Sequence, residues 1–468
     1  MPRQGAIVFA LAVAGLTASF MFTLVVPIQA KLPELLNASR EDTAWVVTAT
    51  LLAAAVAAPI SGRLGDMYGK RRIVLVLLAA MIVGSVIAAL STNLIWVIVG
   101  RALQGVVTGV VPLGISILRD TLHPNRVDTA IALISATMGV GGALGLPLSA
   151  VVTEYGDWHL LFWMAAALGV ICFALVVWIV PVSVLRTPGR FDYVGVAGLA
   201  IGLTGILLAV SRGNEWGWAA PATIVSGLGG LVVLVLWGWF ELRIDEPLLD
   251  LRVAARPPVL LTNLASICMG FALFTSNVVF PQLLELPVAS GSGFGLSLLA
   301  ASFVVMPAGL VMMVLSPVSG RLARVVGPRA LLIAGATALI AAYGTVIVAS
   351  SEVWQIFVAN ILIGVGIGFG FAAMPMLIMR AVPPSETGAS NGLNSLFRSL
   401  GTSSAAAVMG AVLATSSIEH GGVQVPTLEG FHLTYVLAGA GAVAALVLAL
   451  FIPTRNHPND EAHPSLPA

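Results

Sequence analysis

Apolar runs long enough to cross a bilayer follow one another along the chain, separated by short charged or Gly/Pro/Asn-rich breaks. A helix spanning the ~30 Å hydrocarbon layer needs about 20 mostly apolar residues. On that measure the pattern predicts fourteen helices, near 7–28, 43–61, 73–91, 94–117, 128–152, 159–181, 193–211, 219–240, 259–281, 296–316, 330–349, 353–377, 388–414 and 431–452. The run at 388–414 begins polar, with Asn391, Asn394 and Arg398, and the run at 296–316 follows a Gly/Ser-rich stretch. The first run exceeds the apolar region of a signal peptide and has no clear small-residue cleavage site, so it reads as a helix.

Composition agrees. Of 468 residues, 58% are hydrophobic and 9% charged, with a mean hydropathy of +1.01. Soluble domains carry about 25% charged residues, so the pattern is that of an all-α integral membrane protein. A net charge of +1 gives no reason to expect a nucleic-acid partner. Cys172 and Cys268 both lie inside apolar runs, which argues against a disulfide framework or a metal centre. No Gly-x-x-x-x-Gly-Lys-Ser/Thr phosphate loop occurs, and no His, Asp or Cys side chains converge at one depth. An enzyme, a built-in nucleotide motor and a cofactor are therefore not expected. Trp45, Trp96, Trp158, Trp216, Trp218 and Trp354 fall near run ends, as interfacial belts do.

Lys and Arg set the orientation. With the amino terminus inside, the cytoplasmic segments collect most of them, from Arg3, Arg63 and Lys70 through Arg186 to Arg324, Arg329, Arg380 and Arg455. The outer loops hold Lys31, Arg40 and Arg212. Fourteen spans place both termini in the cytoplasm, the carboxyl end as a short polar tail.

The chain also repeats itself. Residues 59–71 read Pro-Ile-Ser-Gly-Arg-Leu-Gly-Asp-Met-Tyr-Gly-Lys-Arg, and residues 317–329 read Pro-Val-Ser-Gly-Arg-Leu-Ala-Arg-Val-Val-Gly-Pro-Arg. A weaker echo sets Arg101, Gly105 and Gly109 against Asn360, Gly364 and Gly368. The offset spans eight helices, which predicts two six-helix bundles facing a central site with two further helices between them. The divisions are then 1–182 for the first bundle, 183–256 for the inserted pair and linker, 257–452 for the second bundle and 453–468 for the tail.

Gly62-Arg63-Leu64-Gly65-Asp66-Met67-Tyr68-Gly69-Lys70-Arg71-Arg72 resembles the signature loop of the major facilitator superfamily. The fourteen spans resemble its drug:proton antiporter branch. Arg101 to Gly105 is similar to that branch's arginine motif, and Gly141, Gly142, Gly145 and Pro147 to its Gly/Pro antiporter motif, here interrupted by Leu146. The resemblance implies a monomeric exporter in the cytoplasmic membrane that expels lipophilic small molecules by proton antiport and alternating access. A lipid or specific-metabolite exporter of the same fold is the alternative.

Glycines in the Gly62–Arg72 segment supply the geometry of a sharp turn. Asp66 can accept hydrogen bonds from the start of a neighbouring helix, where the dipole favours an anion; the family implies that this helix opens near Glu386–Ser390. Lys70, Arg71 and Arg72 would pair with Asp120. Together they form an expected conformational latch, one-sided because Arg324 stands where the repeat would need a second Asp66. Arg101 and Gln104 are expected to face the cavity, with Asn277 and Asn360 as further polar lining, whereas Arg398 is expected to snorkel to the inner interface. Gly141, Gly142, Gly145 and Pro147 either pack or hinge the fifth helix. No Asp or Glu lies in mid-span, which leaves Asp42 as the candidate acid at the outer end of the cavity.

Overall fold

A computed structural model describes residues 4–25, 28–29, 31–182, 190–288, 291–420 and 423–453. Arg3, Arg186 and the predicted tail with Arg455 lie outside them. Among the described residues, fourteen helices have the length and composition to span a membrane. They are α1 (Gln4–Thr23), α2 (Glu41–Tyr68), α3 (Lys70–Leu90), α4 (Leu94–Thr121), α5 (Pro124–Glu154), α6 (His159–Ile179) and α7 (Tyr193–Trp216). The rest are α8 (Pro221–Glu241), α9 (Pro257–Glu285), α10 (Leu298–Leu315), α11 (Pro328–Val348), α12 (Val353–Ala381), α13 (Pro384–Thr415) and α14 (Leu428–Phe451).

Packing follows the sequence repeat. In the first half α1 lies on α5, α3 on α6 and α4, and α2 on α4. In the second half α9 lies on α13, α11 on α14 and α12, and α10 on α12. Each pair has its counterpart eight helices later. The halves meet through α5 on α10 and α2 on α13, again a symmetric pair. Helices α7 and α8 pack on each other, and α7 rests on both α2 and α13. Side chains of α8 such as Val225, Val232 and Val235 are exposed, a surface suited to hydrocarbon and costly in water.

The two Gly-Arg-Leu segments are less loop-like than their glycines suggest. Helix α2 continues to Tyr68 and α3 begins at Lys70, so Gly69 alone makes the turn, at φ 104°. In the repeat a helix runs over Pro307–Val326, and Gly327 turns at φ 83° into α11. Such positive φ values suit glycine alone among common residues. Gly62 and Gly65 are helical, and their role is close approach. Helix α4 tightens into a 3₁₀ turn at Val106–Gly109, just before Pro112, whose ring cannot donate to the preceding turn. A short hairpin pairs Ser417–His420 with Val423–Pro426 between α13 and α14, an element too brief for the hydropathy pattern to reveal.

Candidate functional site

Hydrogen bonds join the two halves at one face of the bundle, the face that carries Gly69 and Gly327. Asp66, in the last turns of α2, is 2% exposed and points at the start of α13. The backbone N–H groups of Gly388 and Ala389 donate to its two carboxylate oxygens at 3.3 and 2.9 Å. A helix amino terminus offers unpaired donors and a positive dipole end, so this is a favourable seat for an anion. Close approach is possible because Gly62 has no side chain: a Cβ there would stand 2.3 Å from the Gly388 carbonyl oxygen. Lys70 is equally buried, 2.6 Å from Asp120 and 3.7 Å from Asp66. The lysine thus links the acid of the cross-half contact to the end of α4.

Three arginines complete this face. Arg119, beside Asp120, donates to Thr387 Oγ1 at 2.7 Å and to the Val382 carbonyl at 3.4 Å. Arg324 donates to the Asn125 carbonyl at 2.9 Å, and Arg380 to Asp128 at 3.2 Å. Arg324 lies in the second half's copy of the segment, and Asn125 and Asp128, the partners of Arg324 and Arg380, both lie at the start of α5. The contact is therefore two-sided, contrary to the expectation from Arg324: a cation on a carbonyl replaces an anion on amides. Gly320 makes this approach possible as Gly62 does opposite, since a Cβ would stand 2.3 Å from Thr129 Cα. Arg71 and Arg72 do not join the Lys70–Asp120 pair. Arg71 donates to the Val177 carbonyl at the end of α6, and Arg72 is exposed. Arg63 instead borders a smaller, 270 Å³ pocket on this face, with Glu246 and Glu386.

Between the halves lies a cavity of about 380 Å³, lined from α1, α2, α4, α5, α9, α10, α12 and α13. It extends to Gln29, beyond the end of α1 that lies far from the hydrogen-bonded face. Phe22, Leu51, Phe274 and Met306 give it apolar walls, and Asn277 adds an amide. Its charged lining residues, among those described, are Arg101 and Arg398. Arg101, 1% exposed, donates to the Met21 carbonyl at 3.1 Å and to Gln104 Oε1 at 2.9 Å. Gln104 passes the chain on to Ser85 Oγ at 2.7 Å, so α1, α4 and α3 are tied together at mid-depth. Both residues are buried, yet only Arg101 reaches the cavity wall.

Arg398 departs from its expected place. It lines the cavity, donating to Ser395 Oγ at 3.1 Å with its guanidinium 5.0 Å from the Phe371 ring centre. Asn360 is fully buried, bonds the Ile356 carbonyl four residues back, and is not part of the lining. Asp42 is exposed in the first turn of α2, where Ser39 Oγ donates to it at 2.7 Å, and it too lies apart from the cavity. Gly141 and Gly145 seat α5 against α1, where added Cβ atoms would stand 2.5 Å from Ser19 Cβ and 2.0 Å from Thr23 Oγ1. Gly142 opens on the cavity, and Pro147 lies within α5. Arg212 was expected in an outer loop. It is fully buried near the end of α7, bonded to the Glu41 carbonyl at 3.0 Å and lying 4.5 Å from the Trp45 ring centre. Asn214, two residues on, donates to the Ala407 carbonyl of α13 at 2.9 Å. An Arg beside an amphipathic Trp near a span end was the one available signal for this anchor.

Known proteins resemble this arrangement. The model of the Major Facilitator Superfamily matches residues 11–406 and, in a second overlapping match, 263–468. The lincomycin resistance protein LmrB of Listeria monocytogenes is 25% identical over 406 residues, covering 85% of each chain. The multidrug resistance protein B homolog of Mycobacterium tuberculosis is 26% identical over 414 residues, covering 86% of this chain and 74% of that protein. The human organic anion transporter TETRAN shares the fold with a TM-score of 0.68 at 15% identity, over 96% of this chain and all of that one. The proton:xylose symporter XylE does so with a TM-score of 0.65 at 13% identity, over 96% of both. Fourteen spans, two like halves around one cavity and a family match over nearly the whole length place this chain in the Major Facilitator Superfamily of membrane transporters.

Proposed function

We propose that the protein exports lipophilic small molecules across the cytoplasmic membrane by alternating access, exchanging them for protons. The observation that carries this reading is the division of labour between the two faces. Hydrogen bonds join the halves at the Asp66 face, while the cavity reaches towards the opposite one. A bundle held at one face and hollow beyond it is the expected form of one of two rocking states. The excess of Lys and Arg supports a cytoplasmic position for the Asp66 face and for both termini. The relatives named for lincomycin and multidrug resistance support export as the direction.

In this reading Asp66, Lys70 and Asp120 form the conformational latch with Gly62, and the small residues of α5 let it move against α1. Arg101 and Gln104 are assigned to the proton or substrate path, and Asn277 to substrate contact; Asn360 and Asp42 are not. Export of a lipid or a specific metabolite is the second reading, favoured by a lining that holds no Asp or Glu among its described residues. The test is efflux of a lipophilic dye from proteoliposomes with and without an imposed pH gradient. Gradient-dependent efflux is expected; equal rates in both conditions overturn proton antiport.

A further inference from the structure

No other helix gives the cavity lining as many polar side chains as α13. Ser395, Arg398, Ser399 and Thr402 of α13 all line it, spaced three or four residues apart so that they share a face. Arg398 is 8% exposed, its guanidinium held between Ser395 Oγ and the Phe371 ring. None of the ion pairs among the described residues involves Arg398 or Arg101, the two charges of the wall. A cation in a low-dielectric cavity without a carboxylate partner is costly, and a bound anion offsets that cost. A cationic ligand would meet two like charges and nothing to oppose them. Elsewhere the walls set apolar and aromatic residues such as Phe22, Phe274 and Met312 among neutral polar ones such as Thr50 and Asn277, with Arg101 as the second charge.

We infer that the cavity binds an aromatic organic anion, its carboxylate seated on Arg398 and the hydroxyls of α13 and its rings against the apolar wall. The inference rests on the exporter reading and names the substrate class of that same cavity. Guanidinium geometry matches a carboxylate with two parallel hydrogen bonds, and the serine and threonine hydroxyls can turn to donate as well.

Three probes sharing one ring system test it: naphthalene-2-carboxylate, naphthalene-2-carboxamide and 2-naphthylmethylammonium. Each is measured by equilibrium dialysis against the full chain in phosphatidylcholine nanodiscs, with empty nanodiscs subtracted. The carboxylate should bind at least about tenfold more tightly than the amide, and the ammonium most weakly. In Arg398→Gln the carboxylate should fall to the level of the amide, while Arg398→Lys keeps most of the preference; measurable amide binding by both variants shows that the cavity is intact. Tightest binding of the ammonium, an undiminished carboxylate preference in Arg398→Gln, or no carboxylate binding by the natural chain would each overturn the inference. Its failure is separable from failure of the exporter reading. Gradient-driven efflux of a neutral dye would survive loss of the charge preference, and the charge preference would survive loss of gradient dependence.

Discussion

The two Gly-Arg-Leu segments solve one geometric problem with opposite charges. Each lies at the end of a helix that leans on the other half, each ends in a single left-handed glycine, and each presents a second glycine to the start of the facing helix. The first half then sends Asp66, 2% exposed, onto two backbone amides of α13. The second sends the exposed Arg324 onto one backbone carbonyl at the start of α5. A helix start provides free donors and a positive dipole end, so an acid there gains from both, whereas an arginine must find an oxygen and works against the dipole. The paired arginines behind these turns differ as well: Arg119 bonds a hydroxyl and a carbonyl, and Arg380 an aspartate. The packing geometry is symmetric; the hydrogen bonding across it is not.

The largest effects should come from what the two segments share. Replacing Gly62 or Gly320 by Ala puts a methyl 2.3 Å from backbone atoms of the other half, an overlap that no rotamer change relieves. Both positions are helical, so alanine causes no local strain. Either variant should insert normally yet lose at least about tenfold in transport, a loss of roughly 1.4 kcal/mol or more in the closed state. Spin labels at the Asp66 ends of α2 and α13, read by pulsed resonance, should move apart. If Gly62→Ala does so and Gly320→Ala does not, the second segment is a passive copy and the symmetry ends at sequence.

Charge comes next, and here the halves should part company. Asp66→Asn keeps one acceptor oxygen but turns an amide N–H₂ towards the second backbone donor and removes the anion facing Lys70. Hydrogen bonds to a charged group contribute about 1.5–3 kcal/mol each, so the closed-to-open ratio should fall by about tenfold or more. Arg324→Ala removes a single bond from an exposed side chain, about 0.5–1.5 kcal/mol, and should cost only a few-fold. Equal losses in turnover and label distance for the two variants would break the proposed asymmetry.

The fold was legible because the bilayer imposes a strong rule: about 20 apolar residues per crossing, with breaks that must be polar. Span ends were less so. The predicted spans stop at 61 and begin at 388, whereas the helices run on to Tyr68 and open at Pro384; polar residues there such as Asp66 and Thr387 are buried against protein rather than lipid, and hydropathy cannot tell these surroundings apart. The Asp66 contact could be read from the motif and its resemblance. Its mirror at Arg324 could not, since charge reversal hides the shared geometry from a comparison of residue types. Arg212, Arg398 and Asp42 were misplaced for a related reason. Their depth along a helix is readable from position, but which neighbour each side chain meets depends on helix rotation and on packing between distant segments.

The smallest effect should belong to the Arg380–Asp128 pair, and it is the most useful for separating charge from shape. The N–O distance is 3.2 Å, but the arginine side chain is 51% exposed and the aspartate 19%. An ion pair this open to water contributes at most about 1 kcal/mol. Arg380→Ala should therefore slow transport less than about fivefold at low salt. At about 1 M salt, where screening acts over roughly 3 Å, the variant and the natural chain should converge. Asp66 is shielded from that ionic atmosphere, so the defect of Asp66→Asn should persist across the same range. A salt series of efflux rates on the two variants compares both kinds of closure directly. If the Arg380→Ala defect survives high salt, the arginine holds the α5–α12 junction by packing its stem rather than by its charge, and the second half closes by shape where the first closes by electrostatics.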